Sequence, residues 1–213
     1  MMYFVETTMF YATLRTPGFK AFRLTSTVIF AILLLALLQG CVTNNTISDG
    51  ADANLMLKGH DPVAYFTMGK HVLGKPDIKA DHAGVIYRFA SADHHQMFLK
   101  SPDKFVPQYG GFCANGMVYG IPWGGDPDTW KIIDGRLFIF GGEASKKYFL
   151  MDEKRNLALA DSYWNSEVKG TQPRLQTWKR LVIRVPHYKS GKALEAEWQA
   201  HQSEKAIAPK AAL

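Results

Sequence analysis

The dipeptide formed by Asp134 and Gly135 constrains the fold of this chain more than any other feature of the sequence. It separates two apolar runs, residues 129–133 and residues 136–140. Asp followed by Gly suits the two-residue turn of a β-hairpin, because both central residues of that turn need positive φ angles. The sequence therefore predicts a hairpin of two antiparallel strands at this place.

Helices are predicted on either side of these strands. Ser91 is of the residue type that caps a helix N-terminus, and Pro102 follows the point near Lys100 where that helix would end. The composition is also helical over residues 143–167 and 192–201. The remaining assignments are a second hairpin over 78–89, a helical turn over 63–66, a strand or helix over 177–185, and disorder after Ser203. The predicted fold class is α+β, with a small antiparallel sheet, packed helices and a C-terminal helical extension.

The N-terminus has the pattern of a bacterial secretory signal. Arg15, Lys20 and Arg23 precede an apolar run over residues 28–38, which is short for a membrane span. The run ends in Leu-Gln-Gly directly before Cys41, an arrangement that resembles the lipobox of bacterial lipoproteins. The sequence therefore predicts that Cys41 becomes the lipidated first residue of the mature protein. The alternative is a single anchoring helix that is never cleaved.

This interpretation fixes the expected organisation and location of the chain. The predicted regions are a lipoprotein signal peptide over 1–40, a flexible tether over 41–53, a folded domain over 54–168 and a C-terminal extension over 169–213. The tether is predicted because its residues are polar and turn-forming. The expected location is the cell envelope, facing the periplasm. Val42 is not the Asp that would argue for retention in the inner membrane, which favours the outer membrane.

Charge and cysteine count limit the classes of partner. Loss of residues 1–40 would remove three basic residues and Glu6, which lowers the formal net charge from +6 to +4. A modest basic excess suits a domain held near anionic lipid, and no interleaved basic and aromatic pattern indicates nucleic acid. With lipid on Cys41, the only other cysteine is Cys113. An intramolecular disulfide is then excluded.

Residues 59–117 contain motifs that resemble the YHS domain family. Residues 61–63 match the Asp-Pro-Val that opens this domain, and the runs 59–66 and 109–114 are similar to a bacterial envelope branch of the family. The family's strand, turn, helix and Pro-containing segment are matched by Phe89, Ser91, Phe98, Pro102 and Phe105. The resemblance covers about a third of the chain. It implies an α+β domain and an association with metal binding.

The chain departs from this family at the positions that would bind metal. Cysteines serve this role in the family, and the corresponding residues here are Ala64, Ala90 and His94. The letters that name the family are also absent, because residues 79–82 read Lys-Ala-Asp-His. A metal site therefore has to be predicted from the other side chains of this chain.

Three side chains are candidate metal ligands: Cys113, His94 and His60. Cys113 lies in a Gly-rich bend over residues 109–125, and its thiolate, with Met117 and nearby imidazoles, would suit Cu(I), since soft ligands select that ion. His94 stands where the family has its second cysteine. His60 would approach His94 if the opening turn packs on the helix, as the family fold implies. The structural alternatives are a buried thiol that packs as a small apolar group and an imidazole packed on an aromatic ring.

Three functions remain open from the sequence. The first is a lipid-anchored envelope protein whose YHS-like domain binds a transition metal, with copper favoured, for sensing, storage or transfer. The second is a non-metal module that binds a protein or small ligand on its Gly-rich bend. The third is a thiol redox enzyme that uses Cys113, which requires an exposed thiol near positive charge. No catalytic motif is present, which favours a non-enzymatic role. The expected partners are the membrane and a metal ion or envelope protein.

Overall fold

The computed structural model describes residues 43–207, which form an α+β fold. The predicted signal peptide over 1–40 and the predicted lipidation site Cys41 lie outside the described residues. No helix within residues 43–207 has the length and apolar character needed to cross a membrane.

The strands form a four-stranded sheet and a separate hairpin. They are β1 Thr46–Ile47, β2 Leu55–Met56, β3 Lys75–His82, β4 Val85–Phe89, β5 Asp126–Ile133 and β6 Arg136–Phe140. The sheet has the order β1-β2-β4-β3, and β5 pairs with β6. One pair, β2 with β4, is parallel, whereas a purely antiparallel sheet was expected. The parallel pair is possible because the connection between β2 and β4 is long and contains β3.

The helices pack around these sheets. They are α1 Ala64–Thr67, α2 Ala92–Lys100, α3 Pro102–Phe105, α4 Ala114–Met117, α5 Glu143–Met151, α6 Glu153–Tyr163, α7 Pro173–Val182 and α8 Gly191–Ile207. The helix predicted over 143–167 is divided at Asp152, whose side chain caps α6. The undecided segment over 177–185 is mainly helical, in α7. The described helix α8 continues past Ser203, where disorder was expected.

Both predicted hairpins and the helix cap are confirmed. Asp134 and Gly135 have φ angles of 49° and 72°, and Ala83 and Gly84 have φ angles of 53° and 75°. These angles fit the left-handed turn that joins two twisted antiparallel strands. Ser91 caps α2, since its hydroxyl accepts a hydrogen bond of 3.2 Å from the backbone N–H three residues later.

The β5–β6 hairpin lies between two hydrophobic clusters. Successive side chains of a strand point to opposite faces, and β6 uses both faces. Leu137 and Ile139 pack in the cluster that contains Tyr65, Tyr87, Phe89, Phe98 and Phe105. Phe138 and Phe140 pack in the cluster that contains Met117, Tyr119, Phe149 and Ala160. This second cluster joins the Gly-rich bend to α5 and α6.

Residues 43–53 pack on the domain, although the sequence predicts a flexible tether there. Asn45 donates its backbone N–H to the Gly110 carbonyl at 2.8 Å, and Thr46–Ile47 forms the edge strand β1. The Asn45 side chain also donates to the Gly111 carbonyl at 3.1 Å. Part of the backbone of this polar segment is thus paired with the Gly-rich bend and with β2.

Ion pairs hold the end of the same segment. The Arg88 guanidinium of β4 pairs with Asp49 at 2.7 Å and with Asp52 at 2.5 Å, and Asp52 also pairs with Lys79. The Asp52 backbone N–H and the Arg88 guanidinium hold the pKa of Asp49 at about 2, below its ordinary value of 3.8. These contacts place residues 49–52 against the four-stranded sheet.

Candidate functional site

Cys113 is buried at the start of α4, with 2% of its surface exposed. Its backbone N–H donates to the Trp123 carbonyl at 2.9 Å, and it forms an isolated bridge with Ile139. The thiol lies inside the fold near Gly141, where an added Cβ atom would be 3.5 Å from its Sγ. A redox nucleophile has to meet its substrate, and this position does not provide the exposure that the redox hypothesis requires.

His94 is held by hydrogen bonds at both ring nitrogens. Its Nδ1 lies 2.6 Å from a carboxylate oxygen of Asp61, and its Nε2 lies 3.1 Å from the Thr67 hydroxyl. The opening turn thus packs on α2, as expected. The residue that reaches His94 is Asp61 and not His60.

Asp61 is a fully buried carboxylate with several donors. One of its oxygens accepts hydrogen bonds from the backbone N–H groups of Val63 and Ala64, at 2.8 and 3.3 Å. The other accepts from the Ala90 N–H at 2.8 Å and faces His94. A buried charge is stable only when it is paired and hydrogen-bonded. Asp61 therefore joins the opening turn, the end of β4 and the start of α2.

His60 points to a different part of the surface. Its Nδ1 lies 2.8 Å from the Leu57 carbonyl oxygen, and its Nε2 lies 3.4 Å from Asp128. His71 approaches the same carboxylate oxygen of Asp128 at 3.9 Å. The two imidazoles meet edge to face, with ring centroids 6.0 Å apart.

The three candidate ligands do not form one donor set. Across residues 43–207, no group of three or more His, Cys, Asp or Glu side chains is arranged to hold a metal ion. Cys113 packs on β6, His94 is bonded to Asp61 and Thr67, and His60 faces Asp128. The fold alone therefore does not assemble the predicted copper site, and copper binding stays a prediction.

A cavity of about 310 Å³ lies between the Gly-rich bend and α8. The bend contributes Asn115, Val118 and Tyr119, and α8 contributes Leu194 and His201 among others. Its volume is near the lower end of the range for small-molecule sites. This cavity lies on the Gly-rich bend, the segment that the sequence proposed as a binding surface.

The bend is shaped by close backbone contacts. Gly116 could not carry a side chain without strain, because a Cβ atom there would lie 2.7 Å from the Ile121 carbonyl oxygen. The Ile121 N–H donates to the Gly116 carbonyl at 3.0 Å, which closes the turn after α4. This tight turn holds the backbone of Asn115 and of Tyr119 in place.

Two buried polar side chains line the cavity without a hydrogen-bond partner among the described residues. Asn115 is 6% exposed and Tyr119 is 4% exposed. Neither the Asn115 amide nor the Tyr119 hydroxyl bonds to another described residue. Burial and the nearby charge of Glu197 raise the pKa of Tyr119 to about 12, so its hydroxyl keeps its proton at neutral pH. Among the described residues, the fully buried side-chain nitrogen or oxygen atom without a partner is Arg180 Nε. The Asn115 amide and the Tyr119 hydroxyl are therefore open to the cavity and can bond to a molecule inside it.

Aromatic contacts from the C-terminal segment fix the ring of Tyr119. His187 stacks on it with ring centroids 5.8 Å apart, and Tyr188 packs edge-on at 5.2 Å. The His187 Nε2 lies 2.9 Å from the Val118 carbonyl oxygen, which ties this segment to the bend. The predicted C-terminal extension is thus one wall of the cavity.

The charged groups at the cavity differ in how they are paired. Lys189 pairs with Glu197 at 2.7 Å, and Asp152 caps α6. The Arg155 guanidinium makes no ion pair with a described residue. It is close enough to lower the pKa of Tyr119 by its charge, although burial dominates. The cavity therefore combines the unpaired cation Arg155 with two neutral groups that have no partner, and its lining also includes Glu204, which makes no ion pair with a described residue.

A second cavity of about 400 Å³ lies beside β1, lined by Asn45, Lys58, Gly125 and Asp126 among others. Its main polar groups already have partners. The Asn45 amide donates to the carbonyls of Gly111 and Gly125, and Lys58 lies 3.4 Å from Asp126. This cavity thus offers fewer free polar groups than the one at Asn115.

Asn115, Tyr119 and Arg155 are site residues that sequence reasoning did not identify. The sequence singled out the Gly-rich bend that contains the first two, but no local pattern marks a buried polar group as unpartnered. Arg155 belongs to a helix far along the chain, and only the packing of α6 brings it to the bend.

Comparison with known proteins gives no match: no family model, curated protein or solved structure is significantly similar to this chain.

Proposed function

We propose that this chain is a lipid-anchored envelope protein whose YHS-like domain is a non-enzymatic binding module for a small organic ligand. The ligand would occupy the cavity between the Gly-rich bend and α8. One observation carries the proposal: Asn115 is 6% exposed, and its amide opens to this cavity without a hydrogen-bond partner among the described residues.

A polar ligand can pair with these groups. A hydrogen bond contributes a net of about 0.5–1.5 kcal/mol, so a ligand that replaces solvent at the Asn115 amide and the Tyr119 hydroxyl gains affinity. Asn115 can donate two hydrogen bonds and accept others, and Tyr119 offers a neutral hydroxyl. These groups suit oxygen and nitrogen atoms of a ligand, while Val118 and Leu194 suit its carbon skeleton.

The charge of Arg155 favours a ligand with a carboxylate. A guanidinium binds a carboxylate with two parallel hydrogen bonds, and such charge-assisted bonds are stronger than neutral ones. Lys189 is already neutralised by Glu197, so Arg155 is the cation with free donors at this cavity among the described residues. The expected ligand is a small carboxylic acid with further polar groups.

The proposal is tested by screening the full chain, purified in detergent, against small carboxylic acids by saturation-transfer NMR. We expect at least one acid to bind in preference to its primary amide. Tyr119→Phe removes only a hydroxyl and should weaken that binding about fivefold, the effect of about 1 kcal/mol. Arg155→Gln should abolish the preference for the acid.

Tyr87→Phe is the matched control, since Tyr87 is 4% exposed like Tyr119, packs in the other hydrophobic cluster and does not line the cavity. It should leave the affinity unchanged. If every acid that binds the parent chain binds the Tyr119→Phe and Arg155→Gln variants equally well, the cavity is not the binding site and the proposal fails.

A further inference from the structure

Helix α7 presents apolar side chains to solvent and polar side chains to the domain. Its exposed residues include Leu175, Trp178, Leu181 and Val182, with exposures of 66%, 69%, 58% and 64%. Their spacing of three or four places them on one face of the helix. Ile183, directly after the helix, is 62% exposed. Together they form an apolar face, defined by residues 175, 178, 181, 182 and 183, and an exposed patch of this kind indicates an interaction site.

Polar contacts on the opposite side hold α7 in this orientation. Gln176 is buried and donates to the Gly120 carbonyl at 3.0 Å. Arg180 is buried, pairs with Glu167 and lies over the Tyr163 ring, 5.2 Å from its centroid. Turning the helix to bury its apolar face would break these contacts and move both polar side chains away from their partners. The outward direction of the apolar face is therefore built into the fold.

The segment around this face is strongly basic. Residues 168–194 contain seven Lys or Arg residues and no Asp or Glu. Lys179 and Arg180 share Glu167, whereas Lys169, Arg174 and Arg184 are exposed and make no ion pair within the described part of the chain. Arg184 also lies over the Tyr188 ring, 4.7 Å from its centroid, a contact that leaves its charge without an acidic partner. An apolar helix face beside cations that lack acidic partners matches a bilayer surface that contains anionic lipids.

The position of the N-terminal segment agrees with a membrane contact at α7. The Thr43 hydroxyl donates to the Thr171 carbonyl at 2.6 Å, two residues before α7 begins at Pro173. A lipid on Cys41 would be attached two residues before Thr43. The predicted anchor and the apolar face of α7 would thus face the same membrane.

We propose that α7 lies in the interface of an anionic phospholipid bilayer, with its apolar face among the acyl chains and Lys169, Arg174 and Arg184 at the headgroups. This contact would fix the orientation of the anchored domain on the membrane. The inference does not depend on the ligand cavity, because none of these residues lines it.

Site-directed spin labelling of the full chain in phosphatidylcholine–phosphatidylglycerol vesicles tests this proposal. Nitroxides at Leu175→Cys and Trp178→Cys should be about fivefold less accessible to a water-soluble nickel chelate than one at Lys154→Cys, an exposed position on α6. They should also be more accessible to oxygen, which concentrates in the acyl chains. The parent chain, labelled in the same way, gives the background from its own cysteines.

Two results would overturn the proposal. The first is equal accessibility of the three labels to the nickel chelate, which would leave α7 in water. The second is dipolar broadening between labels at Trp178→Cys, which would identify a second copy of the chain as the occupant of the apolar face.

The double variant Arg174→Gln and Arg184→Gln should raise chelate accessibility at Leu175→Cys. An unchanged value would contradict the role of the anionic headgroups.

Discussion

Replacing Asp61 with alanine is expected to lower the free energy of unfolding by about 3–5 kcal/mol, the cost of breaking a buried, hydrogen-bonded charged site. Its carboxylate accepts from the backbone N–H groups of Val63, Ala64 and Ala90 and lies 2.6 Å from the His94 ring nitrogen. Removing it leaves these donors without a partner in a site that water does not reach. Since whole domains are stable by about 5–15 kcal/mol, this is a large fraction of the total.

Urea denaturation followed by circular dichroism measures this loss, and an unchanged slope shows that the unfolded state is the same. Asp77→Ala is the matched control, because Asp77 is exposed on β3 and should change stability by less than about 0.5 kcal/mol. Equal effects of Asp61→Ala and Asp77→Ala would show that Asp61 does not organise the opening turn.

Replacing Gly110 with alanine is expected to destabilise the protein by about 3 kcal/mol, combining left-handed backbone strain with overpacking. Gly110 has a φ angle of +58°, and a Cβ atom there would overlap the Thr43 carbonyl oxygen and approach Asn44. Both residues that would clash belong to the segment 43–53, so the substitution should detach this segment from the Gly-rich bend. Faster hydrogen exchange at the Asn45 amide, which bonds to Gly110, would report that detachment.

Gly84→Ala separates the two causes of this effect. Gly84 has a φ angle of +75°, but a Cβ atom added there meets nothing within 4 Å. This variant should therefore lose only about 1 kcal/mol, the strain of a left-handed alanine. If Gly110→Ala costs no more than Gly84→Ala, residues 43–45 do not pack on the bend as described.

The turns and the helix cap of this fold were predicted better from the sequence than the way its strands and helices pack together. The turns at Asp134 and Gly135, the turn at Gly84 and the cap at Ser91 are encoded by neighbouring residues, and all were correct. The docking of residues 43–53 was missed because strands of two residues carry no periodic signal. Their pairing depends on partners far along the chain.

The candidate site was predicted only as a region. The Gly-rich bend was named as a binding surface from its composition, and the cavity lies there. That Asn115 and Tyr119 lack partners is a property of the assembled fold, because it depends on where α6, α8 and His187 pack. For the same physical reason, the sequence could not test whether Cys113, His94 and His60 converge.

The orientation of α7 was also beyond the sequence. Its apolar residues recur at helical spacing, which normally indicates the face that packs on the core. In this chain the face of α7 that packs on the domain carries Gln176 and Arg180, since Gly120 and Glu167 offer them partners. Composition does not distinguish these two orientations, whereas the contacts do.

The most direct test of the proposed function is a crystal structure of the full chain with the tightest-binding carboxylic acid from the screen. The account predicts electron density for the acid between the bend and α8, with hydrogen bonds to Asn115 and Tyr119 and its carboxylate on Arg155. An acid bound elsewhere, such as in the cavity beside β1 at Gly125, with Asn115 still unpartnered, would contradict it.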